Sequence, residues 1–505
     1  METSRIKNAS RNIIFGMFLK LYQVIIPFFF RSVIIHFLGV QYLGLNGLFV
    51  SIIQVLNLAE LGVGSAMTYS MYKPIADDDI GQLCALLNLY RKYYYIIGMI
   101  IAIIGMMLIP FSPYLISGEV PVGINIRILF FINLCTTVLS YWIYAYKGSL
   151  LIAHQRTDVL SKVLLFTSSI QYIFQFIILW RTKNYYYYIL VSMFTQVFSN
   201  LMIAFMAQRL YPNIKPVGKL QRIQIRHLNN KIKDLFFAKL GNVVVSSVDT
   251  IVISAFLGLT VLAIYQNYYF IMISICEFVS VIFNSIISGI GNSLVIETID
   301  KNYSDFKVIT FIICWILNVC CCCFIGLYQP FMMIWIGEEL ILPYSYVILF
   351  CVFFYIHELS MIWATMKDAA GLWHFDRFRM LFGAMFNLIL NLHLVKYIGL
   401  YGIILSTIIS YIFISMPWLV HNLFKYLFKE NMWQYLRRVC LYFFITCCCS
   451  VLTYYACCFI KISGIKELII KGTICILIPF LIQFLFFFKL NEFKKAYLLI
   501  KKIII

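Results

Sequence analysis

The sequence predicts an all-α polytopic membrane protein of about fourteen transmembrane helices, built as two pseudo-symmetric six-helix lobes plus two C-terminal helices. Composition, the count of apolar runs and an internal repeat carry this expectation. Of 505 residues, 62% are hydrophobic and 12% charged, whereas a soluble domain carries about 45–50% apolar and about 25% charged residues. No polar stretch is long enough to fold alone in water. A net charge of +19 would raise the question of nucleic acid in a soluble chain. In lipid it reflects Lys and Arg gathered in cytoplasmic loops, so no nucleic-acid partner is expected.

A span needs about 20 largely apolar residues. Runs of this kind lie at 12–38, 45–70, 93–113, 125–146, 162–180, 186–207, 236–257, 262–290, 308–333, 344–366, 379–397, 400–422, 439–460 and 470–488. Arg5, Lys7 and Arg11 precede the first run. That run is too long for a signal-peptide core and no small-residue cleavage site follows it, so it reads as the first spanning helix. The loops that share a side with the N-terminus hold 30 Lys and Arg, against seven on the other side. The positive-inside rule therefore places both termini in the cytoplasm.

The chain repeats itself at an offset of 219 residues, which aligns the first run with the seventh. The identities include Lys20/Lys239 and the helix-ending Phe37-Leu38-Gly39, matched by Phe256-Leu257-Gly258. Apolar matches come cheaply between membrane helices; a shared Lys and a shared Phe-Leu-Gly do not. A six-helix offset preserves orientation, which makes this a parallel repeat. The expected organisation is an N-terminal lobe at 1–207, a basic cytoplasmic linker at 208–234, a C-terminal lobe at 235–423, and two extra helices with a tail at 424–505. The linker reads either as a topology-setting connection or as an interfacial helix meeting anionic headgroups through Lys219, Arg222, Arg226, Lys231 and Lys233.

Ionisable residues inside spans are costly and mark bundle interiors or aqueous cavities. The set here is Lys20, Arg31, Glu60, Lys239, Asp249, Glu277 and Glu358, with His36, His357 and His393 as weaker members. Lys20 stands 21 residues before the turn at Gln41 and Glu60 stands 19 after it. At about 1.5 Å per residue the two reach nearly one depth. Lys239 and Glu277 stand 20 before and 18 after Leu259. Each pair reads either as a helix-joining ion pair or as part of a cationic cavity in which Lys20, Arg31 and Lys239 meet an anionic group. Arg31 follows Pro27, where the missing backbone donor permits a kink, and its planar fork of donors suits phosphate. Glu60, Asp249, Glu277 and Glu358 are the candidates for ion coupling or charge pairing.

The sixteen cysteines read as small buried hydrophobes, because the groups at 320–323, 447–449 and 457–458 lie inside apolar runs without zinc-like spacing. No metal or cofactor is expected beyond a proton or sodium gradient. The tyrosine runs at 93–95 and 185–188 fit interfacial aromatic belts.

Residues 4–12 read SRIKNASRN, residues 38–49 LGVQYLGLNGLF, residues 56–79 LNLAELGVGSAMTYSMYKPIADDD, and residues 85–98 ALLNLYRKYYYIIG. This opening resembles that of bacterial oligosaccharide flippases, the polysaccharide-unit transporters of capsule and O-antigen pathways. The match includes polar loop residues as well as apolar ones and covers about the first hundred residues. The resemblance implies membership of the multidrug/oligosaccharidyl-lipid/polysaccharide exporter superfamily and movement of a polyprenyl-diphosphate-linked oligosaccharide across the bacterial cytoplasmic membrane by alternating access. It also implies membrane lipids and other polysaccharide assembly proteins as partners. The competing readings are an exporter of another amphipathic substrate (the peptidoglycan lipid precursor or a drug) and a membrane glycosyltransferase or polymerase. The enzyme reading is disfavoured by short outer loops: 114–124 carries only Glu119, and 334–343 only Glu338 and Glu339.

Overall fold

A computed structural model gives the fold and describes residues 2–460 and 464–504, with the side chains of 2–10 and of scattered positions in 237–246, 284–288 and 499–504 outside the description. Every regular element in the described residues is helical. The first compact unit, Met1–Ala263, contains α1 (Glu2–Phe37), α2 (Val40–Leu56), α3 (Val63–Ala76), α4 (Ile80–Leu108), α5 (Ile126–Trp142), α6 (Tyr146–Ala153), α7 (Thr157–Thr182), α8 (Tyr185–Leu210) and the first part of α9 (Arg222–Ile296). The second unit, Ile264–Ile505, holds the rest of α9, α10 (Ile299–Ile336), α11 (Tyr344–Ala369), α12 (Trp373–Asp376) and α13 (Arg379–Ile398). It continues through α14 (Leu400–Ser410), α15 (Met416–Asn422), α16 (Met432–Cys458), α17 (Ile465–Phe487) and α18 (Asn491–Ile504).

Among the described residues twelve helices are long and apolar enough to cross a membrane, and the pair α5–α6, bent by 51°, makes a thirteenth. One of the twelve, Ser247–Phe283, runs 37 residues, or roughly 55 Å of helix against a hydrocarbon core of about 30 Å. It contains a break at Gly258 (φ 86°, ψ 175°), so it is two spans, and the total is fourteen. Gly39, the repeat-equivalent position, breaks the chain between α1 and α2 in the same way (φ 111°, ψ 164°). Only glycine reaches this region without strain, which is why Phe-Leu-Gly recurs at both helix ends.

Several borders differ from the apolar runs. The second run does not continue to 70; it stops at a 3₁₀ turn, Asn57–Glu60, and restarts at Val63. The helices α4 and α10 begin at Ile80 and Ile299, ahead of the apolar runs at 93 and 308, because their polar first turns stay helical beyond the apolar core. The linker is irregular, with turns, over 211–221, and Arg222 then opens α9, which continues into the seventh span. It is anchored on α4: Asn88 Nδ2 donates to Gly218 O at 2.8 Å, and Tyr93 Oη donates to Asn229 Oδ1 at 2.7 Å. The contact boundary at Ala263 lies one helix beyond the start of the repeat at 235. The seventh helix packs on earlier elements, with Ser247 Oγ donating to Gln54 Oε1 and Ser117 N–H to Ser254 O.

Candidate functional site

The break in the second span builds the first unit's polar cavity. Asn57-Leu58-Ala59-Glu60 tightens into a 3₁₀ turn, and Gly62 follows at φ 87°. A Cβ on Gly62 would lie 2.8 Å from Leu235 Cβ and 2.9 Å from Ile232 O. Glycine is therefore needed twice over, for the backbone angle and for the close approach of α9. Non-helical backbone within a membrane protein persists only where protein buries it or a cavity meets it. Here a cavity of about 590 Å³ lies against the break, lined by Glu60, Gly62, Thr68, Tyr69, Tyr72 and Tyr94 among others.

Glu60 is half-buried at the head of a hydrogen-bond chain. Tyr94 Oη donates to Glu60 Oε1 at 2.8 Å, Tyr90 Oη donates to Tyr94 Oη at 2.7 Å, and Ser149 Oγ donates to Tyr90 Oη at 3.2 Å. Tyr141 Oη reaches the other carboxylate oxygen at 3.4 Å. The chain runs from α6 through α4 to the break, and each bond polarises the next. The Tyr90 and Tyr94 rings lie 4.5 Å apart, and Tyr141 stands edge-on to Tyr94. Lys231 of α9 sits 4.5 Å over the face of Tyr69 at the cavity wall. The lining therefore offers a carboxylate, several hydroxyls, aromatic faces and a neighbouring cation. Such a surface can bind a polyhydroxylated ring, through hydroxyl donors to the carboxylate and C–H faces on tyrosine.

On α1, Lys20 is exposed, and Arg31 is half-buried near Tyr188 of α8. The side chain of Lys239 lies outside the described residues. Asp249 on α9 is buried, Glu277 farther along α9 is exposed, and Glu358 on α11 is 1% exposed. Glu358 Oε1 bonds His357 Nδ1 at 2.9 Å; His36 and His393 are exposed. Lys20, Arg31, Glu60 and Asp249 belong to the first unit, and Glu277 and Glu358 to the second.

Sequence reasoning passed over two features. The tyrosine runs are not simple interfacial belts: Tyr94, Tyr185 and Tyr188 are buried, whereas Tyr95 and Tyr187 are exposed. Burial follows helical position, and the i, i+4 spacing of Tyr90 and Tyr94 was the available signal. The second is Asp158, fully buried at the start of α7. It receives Arg156 Nε at 2.9 Å, Lys162 Nζ at 3.4 Å and Arg11 Nε at 4.0 Å. Its backbone N–H donates to Asn12 Oδ1 at 2.8 Å, while Asn12 Nδ2 donates to Gln155 O. The hydrogen bond to Asp158 raises the Arg156 guanidinium above its ordinary pKa. Arg11 and Asn12, polar residues of the SRIKNASRN opening, thus tie α1 to the α6–α7 turn. A counterpart stands 218 residues on: buried Asp376 holds Arg379 Nε at 2.7 Å and Lys367 Nζ at 2.9 Å.

No protein-family model matches the chain, and no curated protein is similar to it in sequence. Solved structures are similar in fold. The lipid II flippase MurJ in an inward closed conformation aligns over 95% of this chain and 99% of its own, with a TM-score of 0.69 and 15% identity. An inward-facing multidrug resistance MATE family transporter of the MOP superfamily covers 82% and 97%, with a TM-score of 0.62 and 14% identity. A Vibrio cholerae MATE transporter, in a point-mutant form, covers 86% and 100%, with a TM-score of 0.54 and 17% identity. The chain has the polytopic helical fold of these transporters.

Proposed function

We propose that this chain is a flippase that moves a polyprenyl-diphosphate-linked oligosaccharide repeat unit from the cytoplasmic to the outer leaflet of a bacterial cytoplasmic membrane. Alternating access is the mechanism, and a proton or sodium gradient is the driving force. The carrying observation is the tyrosine- and Glu60-lined cavity at the broken second span. It is built largely from residues 56–98, the segment in which the resemblance to oligosaccharide flippases is densest. Glu60 stands 20 residues from Val40, about 30 Å along the helix and hence at the far side of the hydrocarbon core. With the termini in the cytoplasm, the cavity faces the leaflet on which lipid-linked sugars are loaded. Its hydroxyls and aromatic faces suit the saccharide, and Lys20, Arg31 and Lys239 supply cations for the diphosphate.

A second reading is movement of a peptidoglycan-type lipid precursor, favoured by the fold shared with the lipid II flippase over nearly the whole chain. Proteoliposomes separate the two. Leaflet transfer is measured for a polyprenyl-diphosphate oligosaccharide and for a lipid II-type substrate, with proton and sodium gradients imposed separately. Transfer of the oligosaccharide lipid, lost on Arg31→Glu and on Lys239→Glu in protein that still inserts, is the expected outcome. Transfer of the peptidoglycan precursor alone would establish the second reading, and unimpaired transfer by both mutants would remove these cations from the cavity.

A further inference from the structure

In the second unit, Cys276 on α9 and His357 and Glu358 on α11 converge, with one ligand atom of each within 4.8 Å of the others. Successive residues on a helix point about 100° apart and do not ordinarily meet. His357 and Glu358 nonetheless bond through Nδ1 and Oε1 at 2.9 Å, so both side chains bend toward one point, and Cys276 of another helix reaches the same point. Glu358 is 1% exposed; no nitrogen or hydroxyl donor reaches its second oxygen, Oε2, and the Cys276 thiol is the carboxylate's other hydrogen-bond partner. A buried carboxylate answered only by a thiol and a neighbouring imidazole is poorly compensated in an apolar interior, and a cation among the three groups relieves that cost.

We propose that Cys276, His357 and Glu358 form a site for a thiophilic divalent transition metal of the zinc class, clamping α9 to α11. The donor set is one thiolate, one imidazole and one carboxylate, which suits zinc rather than the hard cations magnesium or calcium. Thiolate and carboxylate together carry two negative charges, so a dication makes the assembly neutral, the condition an apolar interior favours. The metal binds Glu358 Oε2 and displaces the thiol proton to solvent. His357 is only partly buried and is the open side of the site. The rings of Phe353 and Tyr411 pack edgewise on His357 and hold its plane.

The test uses the full chain purified in detergent after chelation and titrated with Co²⁺. One equivalent should bind, with tetrahedral d–d bands and a thiolate-to-cobalt charge-transfer absorption that Zn²⁺ abolishes by displacement. Cys276→Ser should remove the charge-transfer band, and the near-isosteric Glu358→Gln should weaken Co²⁺ binding by at least about tenfold. Cys475→Ser serves as a control, because the chain carries many other thiols, and it should leave both readouts unchanged. Size-exclusion profiles confirm that each variant remains folded. Absence of tight Co²⁺ binding in the folded protein, or a charge-transfer band that survives Cys276→Ser, overturns the proposal. Neither readout depends on transport, so failure here leaves the flippase reading intact, and failure of that reading leaves this site intact.

Discussion

Removing the Glu60 carboxylate should expose how the broken second span is held. Tyr94 Oη meets Glu60 Oε1 at 2.8 Å, a bond to a charged acceptor worth about 1.5–3 kcal/mol. Tyr141, at 3.4 Å, sits past the ordinary range and adds no more than about 1 kcal/mol. Glu60→Ala should therefore cost about 2–4 kcal/mol. Glu60→Gln, which keeps an acceptor oxygen and loses only its charge, should fall between. Tyr94→Phe removes the same bond from the other side, so the double variant Glu60→Ala/Tyr94→Phe should cost less than the two singles summed. The expected coupling is about 1.5–3 kcal/mol, an effect of at least about tenfold on the folded-to-unfolded ratio. Equilibrium unfolding of the wild type, both singles and the double in one detergent gives the cycle directly. Additivity within about 0.5 kcal/mol would refute the Tyr94–Glu60 bond as the anchor of the break.

Asp158→Asn should lower stability by about 1.5–3 kcal/mol through the Arg156 bond, with Lys162 and Arg11, both partly exposed, contributing little; the thermal midpoint of detergent-purified protein reads it. Gly62→Ala should cost about 1–3 kcal/mol from the left-handed backbone alone, with the contact to Leu235 adding to it. Gly16→Ala, where a Cβ meets nothing within 4 Å, should be neutral or slightly stabilising in the same assay. A reporter that matures only in the cytoplasm should be active when fused after residue 505 and silent when inserted between Gly118 and Gly123; the reverse pattern would invert the topology.

The fold class was legible because a bilayer imposes local rules. Hydropathy along a window of about 20 residues is enough to locate a span, and glycine in a backbone region closed to other residues marks a helix end. Lys20/Lys239 and the two Phe-Leu-Gly segments disclosed the repeat for that reason, and Gly39 and Gly258 indeed break their helices alike. The interruption at 57–62 was less visible, because Leu58, Ala59 and Leu61 keep the run apolar while Gly62 changes direction.

What tertiary structure alone decided are the partners. Glu60 stood out as an acid inside a span, but Tyr94 and Tyr141 come from other helices, 34 and 81 residues away. Tyr94 was hidden in a tyrosine run in which Tyr93 turns to Asn229 and Tyr95 is exposed. Asp158 carries no signal in the sequence, because Asn12, which closes over it, lies 146 residues earlier. Cys276 lay in an apolar run as a small hydrophobe, and only the packing of α9 against α11 brings it to His357 and Glu358. The sequence by itself determined where the chain crosses lipid, since each crossing is settled by its own residues. Which polar groups face one another inside was decided by the packing, because the cost of a buried charge is relieved only by a partner that sequence spacing does not reveal.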